Sequence, residues 1–334
     1  MQTVRVSNLE TAPEETACTD GPPVGEVEVL EPRDVPLGGP RAMTVRRTLP
    51  QRQRSLIGAW CFADHYGPDD VASSGGMDVP PHPHTGLQTV SWLFAGEVEH
   101  RDSLGTHAVI RPGELNLMTG GHGIAHSEVS TPGTSVLHGA QLWVALPDAD
   151  RHAPKDFQHF APTPVRLDGA TISVFLGSLA GQTSPVVTFT PLLGAEVVLD
   201  AGATVELGLD AAYEHGVLAD TDGLTVDGTD LARSALAYLP TGGARLTLTN
   251  RSDEPARALL LGGAPFDEDI LMWWNFVGRT HEEIVEAREE WMAHSDRFGE
   301  VEGYAGDVQH LPAPALPAVR IRPRHNASRA HRDS

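Results

Sequence analysis

Two short pairs of residues carry side chains that bind metal ions. His82 and His84 stand two positions apart, and His126 and Glu128 repeat that spacing later in the chain. In an extended strand, side chains two residues apart point to the same face of the sheet. If the two segments face each other inside a β-barrel, three imidazoles and one carboxylate converge on the volume of one metal ion. The spacing therefore predicts a metal site made by His82, His84, His126 and Glu128.

The donor set restricts the metal without choosing one. Imidazole nitrogen suits iron, zinc, copper, nickel and manganese, and the single carboxylate favours the harder of these divalent ions. An octahedral ion with four protein ligands keeps two open positions, where a substrate oxygen and dioxygen could bind. A lone pair of histidines two residues apart is often a surface or core feature, so the prediction depends on the second pair.

Several other residues near these pairs have simpler structural interpretations. We predict that His122 lies in a turn between two glycines, and that the remaining histidines of this half are surface or hydrogen-bonded residues, namely His65, His100, His107 and His138. The strand periodicity of Trp92, Phe94 and Trp143 is more typical of core positions than of a substrate platform. Asp64 and Gln141 are candidates for orienting a ligand imidazole, because a metal-bound histidine usually donates its second N–H to an acceptor.

Short β-strands are expected to position these side chains. A chain of 334 residues suggests about two domains, and its 34 Gly, 26 Pro and 40% hydrophobic residues favour an all-β fold with many turns and few long helices. We predict a disordered acidic segment at residues 1–25, a metal-binding barrel at 26–160, and a second barrel with a docking helix at 161–300. Residues 301–334 are expected to form an extended or disordered basic tail. The capping-box sequence THEE at residues 280–283 opens the predicted helix.

An internal repeat relates the two predicted barrels. The sequence LMTGG at residues 117–121 matches LPTGG at residues 239–243, an offset of 122 residues. The same offset places Leu248 at the position of His126 and Asn250 at the position of Glu128. The second barrel is therefore expected to lack the metal ligands and to pack against or cap the first.

Charge and cysteine content restrict the partners and the compartment. The 45 acidic and 24 basic side chains give a formal net charge of -21, which repels nucleic-acid phosphates and anionic membrane surfaces. Cys18 and Cys61 are the two cysteines of the chain, too few for a disulfide framework or a thiolate metal cluster. With no apolar run of membrane-spanning length and no signal-peptide pattern, we expect a soluble cytoplasmic protein that binds neither nucleic acid directly nor membranes.

Four motifs resemble those of the pirin family. They are PHPHTG at 81–86, PGELNLMTGGHGIAHSE at 112–128, GAQLWV at 139–144 and GGAPFDED at 262–269. The resemblance implies a bicupin, two cupin-type β-barrels with iron in the N-terminal one, held by residues that match His82, His84, His126 and Glu128. Gln88 departs from the cupin pattern, in which a glutamate is common there, but the carboxylate ligand of pirins matches Glu128.

The resemblance and the ligand set together predict an iron-dependent oxygenase. Its expected substrates are flavonol-like or enolisable small molecules opened with dioxygen, as in quercetin 2,3-dioxygenases, and Glu128 is the nearest base for the substrate proton. The expected cofactor is one divalent ion, Fe(II) by resemblance, with Zn, Mn, Ni and Cu still open. The alternative is a metal- or redox-sensing regulator that binds protein partners without turnover. A metal-free structural bicupin is a third hypothesis.

Overall fold

The computed structural model describes residues 27–36 and 43–324, so the predicted disordered segment at residues 1–25 lies outside the described residues. The strands of its first half are β1 (Glu28–Leu30), β2 (Arg33–Pro36), β3 (Thr44–Leu49), β4 (Trp60–Asp70), β5 (Asp78–His84), β6 (Leu87–Ala95), β7 (Val98–Asp102), β8 (His107–Ile110), β9 (Leu115–Thr119), β10 (Ile124–Ser130), β11 (Val136–Ala145) and β12 (Asp156–Phe160). One short helix, α1 (Val71–Ser74), follows β4.

The second half repeats this strand-rich pattern and ends in a longer helix. Its strands are β13 (Val165–Leu167), β14 (Ala170–Leu176), β15 (Ser178–Leu179), β16 (Gln182–Thr183), β17 (Leu192–Leu199), β18 (Thr204–Gly208), β19 (Glu214–Ala219), β20 (Leu224–Val226), β21 (Thr229–Leu231), β22 (Leu236–Leu239), β23 (Arg245–Asn250), β24 (Ala256–Gly263), β25 (Leu271–Trp273) and β26 (Phe276–Gly278). The helix α2 (His281–Met292) comes last.

The strand order is the same in both halves. In the first, a seven-stranded sheet β12-β9-β6-β11-β4-β3-β2 lies with a four-stranded sheet β5-β10-β7-β8. In the second, a seven-stranded sheet β1-β22-β19-β24-β17-β14-β13 lies with a four-stranded sheet β18-β23-β20-β21. Each pair of sheets forms one barrel, and the prediction of an all-β fold with two barrels is confirmed.

The strand register gives the repeat a structural basis. Strand β10 pairs with β5 so that His126 lies opposite His82, and β23 pairs with β18 so that Leu248 lies opposite Val205. The position of His84 is taken in the second barrel by Leu207, opposite Leu246. Val205, Leu207 and Leu248 are buried in the apolar core of that barrel. Hydrocarbon side chains therefore fill the positions that carry imidazoles in the first barrel.

One edge strand from the first half of the chain joins the second barrel. Strand β1 precedes the first barrel in sequence but pairs with β22 of the second, while β12 pairs with β9 of the first barrel. A sequence boundary at residue 160 therefore does not separate the two sheets, because β1 crosses it. This pairing ties the start of the described chain to the second barrel.

The large sheets of the two barrels pack face to face across a shared apolar core. Trp92 of β6 stacks on Phe175 of β14 with ring centroids 4.5 Å apart, and its Nε1 donates a hydrogen bond to Glu196 at 2.6 Å. Trp60 of β4 donates from Nε1 to the carbonyl of Gly262 at 3.1 Å. These tryptophans bury large apolar surfaces between the barrels while their N–H groups keep acceptors. The core position expected for Trp92 agrees with this packing.

Helix α2 and the chain after it cover the outside of the first barrel. Thr280 caps the helix by accepting the backbone N–H of Glu283, and Ile284, Ala287 and Trp291 form its buried face. Leu311, in the extended segment that follows, donates its N–H to the carbonyl of Pro81 in β5 at 2.8 Å. This contact covers the free edge of β5. Among the described residues no helix is long and apolar enough to cross a membrane.

Basic side chains of the C-terminal segment pair with the acidic body of the protein. Arg320 makes two hydrogen bonds to the carboxylate of Glu282, at 2.6 and 2.7 Å, on the first turn of α2. Both side chains are largely exposed, so the pair contributes little to stability. Residues 301–324 consist of turns and irregular structure, residues 325–334 lie outside the described part of the chain, and the extended or disordered tail stays a prediction.

Candidate metal centre

Three predicted histidines converge inside the first barrel. His82 and His84 lie on β5 and His126 lies on β10, and one donor nitrogen of each lies within 4.8 Å of those of the other two. The Nε2 atoms of His84 and His126 are 3.0 Å apart, and the His82 and His126 rings have centroids 4.3 Å apart. All three side chains are buried. The arrangement fits one metal ion bound by imidazole nitrogens.

Strand β5 is suited to carry ligands at the edge of its sheet. It pairs with β10 on one side and is the outermost strand of the four-stranded sheet. Pro80, Pro81 and Pro83 have no N–H groups, so they leave no donor exposed at that edge. The carbonyl of Pro80 accepts a hydrogen bond from Nδ1 of His82 at 2.8 Å. This contact sets the tautomer of His82 and leaves its Nε2 free for a metal ion.

Burial keeps the three imidazoles neutral. Loss of water lowers the pKa of His82 to about 4, although the hydrogen bond to Pro80 opposes the shift. Burial also lowers the pKa of His84 well below its usual value, and the neighbouring His82 lowers it further. Burial also lowers the pKa of His126 well below its usual value, and the neighbouring His82, His84 and His100 lower it further. Neutral imidazole is the form that binds metal ions, so the site is prepared for a cation at neutral pH.

Glu128 lies beside this group rather than within it. A bulge in β10 separates His126 from Glu128, and the Glu128 carboxylate belongs to a second group of donor atoms with His126 and His100, all within 4.8 Å of one another. Ser91 donates a hydrogen bond to Glu128 at 3.5 Å. Burial raises the pKa of Glu128, while His100 and Ser91 oppose that shift. A bound cation would favour the ionised carboxylate and draw it toward the histidines.

His100 is the site residue that sequence reasoning assigned to the surface or to an ordinary hydrogen bond. It is buried on β7, directly opposite Glu128 in the sheet, and its Nε2 donates to Asp102 at 3.2 Å. The signal that could have found it is the spacing His100-Arg101-Asp102, which repeats the two-residue period of the ligand pairs. The two-residue period predicts the face of the strand on which His100 lies, but it does not predict that Glu128 lies opposite His100 in the sheet.

Aromatic side chains form a wall next to the histidines. Trp143 meets the His84 ring edge-on with centroids 5.2 Å apart, and it stacks on Phe62 at 4.1 Å. The guanidinium of Arg47 lies 4.2 Å from the centre of the Phe62 ring. Trp143 is buried in an apolar cluster, as expected of a core residue, and it also borders the candidate centre.

The two residues proposed to orient an imidazole make other contacts. Asp64 accepts two hydrogen bonds from Arg47, at 2.6 and 2.7 Å, and both side chains are buried. Gln141 accepts from Ser91 at 3.0 Å, and Ser91 in turn faces Glu128. Neither Asp64 nor Gln141 has a hydrogen bond to a histidine among the described residues. Gln141 contacts Ser91, which also lies near the Glu128 carboxylate, and Asp64 binds the guanidinium of Arg47 that lies over the Phe62 ring.

The other histidines of the first barrel take separate places. His65 and His138 both donate to the same oxygen of Asp220, at 2.7 and 2.5 Å, and so link the first barrel to the second. His107 is exposed on β8, and His122 is exposed in the turn before β10, as we expected for His122. Gln88 is buried and donates a hydrogen bond to Thr119 at 2.9 Å.

Comparison with known proteins places the chain in a family. The family model described as Pirin matches residues 42–144, and the model described as Pirin C-terminal cupin domain matches residues 194–299. The chain belongs to the pirin family. The expected bicupin architecture of pirins corresponds to the two barrels described above, and the predicted resemblance is confirmed.

Several pirin relatives are similar over most of their length. A Pseudomonas aeruginosa protein named "Putative quercetin 2,3-dioxygenase" is 46% identical over 286 residues, which are 85% of this chain and 89% of the relative. A Pirin-like protein of Caulobacter vibrioides is 35% identical over 262 residues, or 75% of this chain and 88% of the relative. A crystal structure of quercetin 2,3-dioxygenase from Acinetobacter baumannii is 40% identical, with a TM-score of 0.83 over 89% of this chain and 97% of that one.

Proposed function

We propose that this pirin is an iron-dependent oxygenase that opens flavonol-like or other enolisable small molecules with dioxygen. The observation that carries the proposal is the convergence of three buried, neutral histidines in the first barrel, at positions that the second barrel fills with Val205, Leu207 and Leu248. Relatives named for quercetin 2,3-dioxygenase activity support the substrate class. The cytoplasmic location expected from the sequence stays a prediction.

His82, His84, His126 and Glu128 are the proposed ligands of the iron. Three imidazoles and one carboxylate suit a divalent transition ion of intermediate hardness, so the donor set fits Fe(II). When bound, such an ion supplies Lewis acidity and open positions for an oxygen of the substrate and for dioxygen. Zn, Mn, Ni and Cu satisfy the same donors, and metal analysis of the purified protein distinguishes them.

The buried protein groups have separate roles in this proposal. The Glu128 carboxylate, bound to the ion or released from it, takes the proton of the substrate hydroxyl. The Ser91 hydroxyl lies 3.5 Å from the Glu128 carboxylate and 3.0 Å from Oε1 of Gln141, so its one proton is shared between these two acceptors. Trp143, stacked on Phe62 and in contact with His84, excludes water from that side of the centre.

Oxygen uptake is the direct test. Protein purified without oxygen and loaded with Fe(II) is expected to consume dioxygen when quercetin is added, with loss of the flavonol absorbance. His126→Ala is expected to abolish both signals, and His107→Ala, a change to an exposed histidine of the neighbouring strand β8, is the matched control. Iron-loaded protein that binds quercetin without oxygen uptake contradicts the enzyme proposal. In that case a partner that binds the ferrous and ferric forms differently would favour the regulatory alternative.

A further inference from the structure

A line of three buried side chains leads away from the candidate metal centre. The Nδ1 atom of His126 lies 3.4 Å from Nδ1 of His100, and Nε2 of His100 lies 3.2 Å from Oδ2 of Asp102. All three residues are at least 98% buried. The other oxygen of Asp102 accepts the backbone N–H groups of Leu104 and Thr106, at 2.9 and 3.0 Å. The turn after β7 therefore anchors the far end of the line.

The protons on this line can be assigned from its two ends. With Nε2 of His126 bound to the metal ion, beside Nε2 of His84, the neutral imidazole of His126 carries its proton on Nδ1, which then requires an acceptor. His100 can accept at Nδ1 if its own proton lies on Nε2, where the Asp102 carboxylate receives it. Each donor thus meets one acceptor: His126 donates to His100, and His100 donates to Asp102. The reverse tautomer of His100 would leave two N–H groups facing each other.

The second barrel supplies an internal comparison. The strand pairing that sets Glu128 opposite His100 and His126 opposite Asp102 sets Asn250 opposite Leu224 and Leu248 opposite Val226 in the second barrel. Buried polar groups cost free energy unless their hydrogen bonds are made, and the second barrel has hydrocarbon at the positions of His100 and Asp102. The polar line is present in the barrel that carries the ligand histidines, and its equivalent in the other barrel is apolar.

We propose that His100 and Asp102 are positioning residues that fix the ring orientation and tautomer of His126 for metal binding. This proposal rests on the proposed function in one respect, that His126 is a metal ligand. It does not depend on the oxygenase reaction. His82 is oriented directly by the carbonyl of Pro80, whereas His126 is oriented through a second imidazole. Groups that orient a metal ligand in this way typically change metal affinity about 10- to 100-fold when they are removed.

Paired substitutions at one position test the proposal. In His100→Leu the acceptor for His126 is lost, and Co(II) affinity, measured by competition with a chelator, is expected to fall about 10- to 100-fold. The visible spectrum of bound Co(II) should change as well, because the His126 ring can rotate. In His100→Gln the side-chain oxygen can accept from His126 while the NH₂ group donates to Asp102, so affinity and spectrum should return toward those of the wild type. His107→Leu is the surface control.

The outcomes separate positioning from other roles. Wild-type affinity and spectrum in His100→Leu would overturn the proposal. Loss of binding that is equally deep in His100→Leu and His100→Gln would also overturn it, because a direct ligand is not replaced by an amide. The thermal unfolding temperature of each metal-free variant identifies a merely structural defect. Wild-type protein that binds Co(II) but shows no oxygen uptake with Fe(II) leaves this inference standing while the oxygenase proposal fails, and wild-type protein that binds no Co(II) overturns both.

Discussion

His82 and His126 lie directly opposite each other in neighbouring antiparallel strands, with ring centroids 4.3 Å apart. Directly paired residues in such a sheet have their side chains on the same face and in contact. His84 lies two residues beyond His82 on that face, so its ring joins the pair from the side. The candidate centre is therefore a property of the register between β5 and β10. A shift of one residue in either strand would turn one set of histidines away from the other.

Replacement of one of these paired histidines should lower the metal content of the protein and leave its fold intact. For His82→Ala, we expect the metal content of the purified protein to fall well below about one ion per chain, because the two imidazoles and one carboxylate that remain hold a divalent ion less tightly than four ligands. Metal analysis and far-UV circular dichroism are the measurements. A variant that keeps its metal would show that His82 is not a ligand, and His107→Ala is expected to keep it.

The contact between Trp92 and the second barrel should dominate the stability of the interface. Trp92→Ala removes the stack on Phe175 and leaves Glu196 without its indole donor, so the free energy of unfolding should fall by about 3–5 kcal/mol. Trp92→Phe keeps an aromatic ring but loses the hydrogen bond, and a smaller loss of about 1–3 kcal/mol is expected. Urea denaturation followed by fluorescence measures both. Equal losses in the two variants would mean that the hydrogen bond, and not the stack, is decisive.

The buried pair of Arg47 and Asp64 should show strong coupling. Removing one partner leaves an uncompensated charge in the barrel, so Asp64→Ala or Arg47→Met alone is expected to destabilise by about 3–5 kcal/mol. The double variant removes both charges and should be less destabilised than the sum of the single ones. A double-mutant cycle in urea gives the coupling. Additive effects would show that the two side chains do not depend on each other, in spite of their two hydrogen bonds.

Acid should destabilise the second barrel through His215. Burial lowers the pKa of this histidine to about 4, and its Nε2 has no hydrogen-bond partner among the described residues. The unfolded chain takes up the proton near pH 6.5 and the folded chain does not, so stability is full above pH 6.5 and declines as the pH falls toward 4. His215 contributes at most about 3 kcal/mol to the free energy of unfolding, because each unit of pKa shift corresponds to about 1.4 kcal/mol.

A neutral replacement isolates this contribution. His215→Gln should flatten the difference in unfolding free energy between pH 7.5 and pH 4.5 relative to the wild type, as measured in urea. His107→Gln, the same substitution at an exposed position, is the control. If His215→Gln has the same pH dependence as the wild type, other groups cause the loss of stability in acid.

Much of the architecture could be predicted from local patterns. The two-residue period places His82 with His84 and His126 with Glu128 on common strand faces, and the repeat of LMTGG in LPTGG relates β9 to β22. The Thr280 cap and the spacing of Ile284, Ala287 and Trp291 predict the helix and its buried face, as the structure confirms. These features depend on neighbours within a few residues along the chain, so the sequence contains them directly.

Other features were decided by contacts between distant segments. Pairing of β7 with β10 brought His100 to the candidate metal centre, and a bulge lies between His126 and Glu128, whose carboxylate groups with His100 and His126. Asp64 was a candidate for orienting a histidine, but β3 lies next to β4 and supplies Arg47 as its partner. Strand β1 was assigned to the first barrel, yet it joins the sheet of the second.

The division between the two kinds of information has a physical cause. A two-residue sequence period predicts which face of a strand a side chain occupies, because backbone geometry alone makes successive side chains point to opposite faces. Which strand lies alongside, and in which register, depends on the free energy of packing the whole core, to which residues far apart in the chain contribute together. The types and spacing of the ligand residues were therefore present in the sequence itself. The tertiary structure alone decided that His126 lies opposite His82, with His100 and Asp102 behind it.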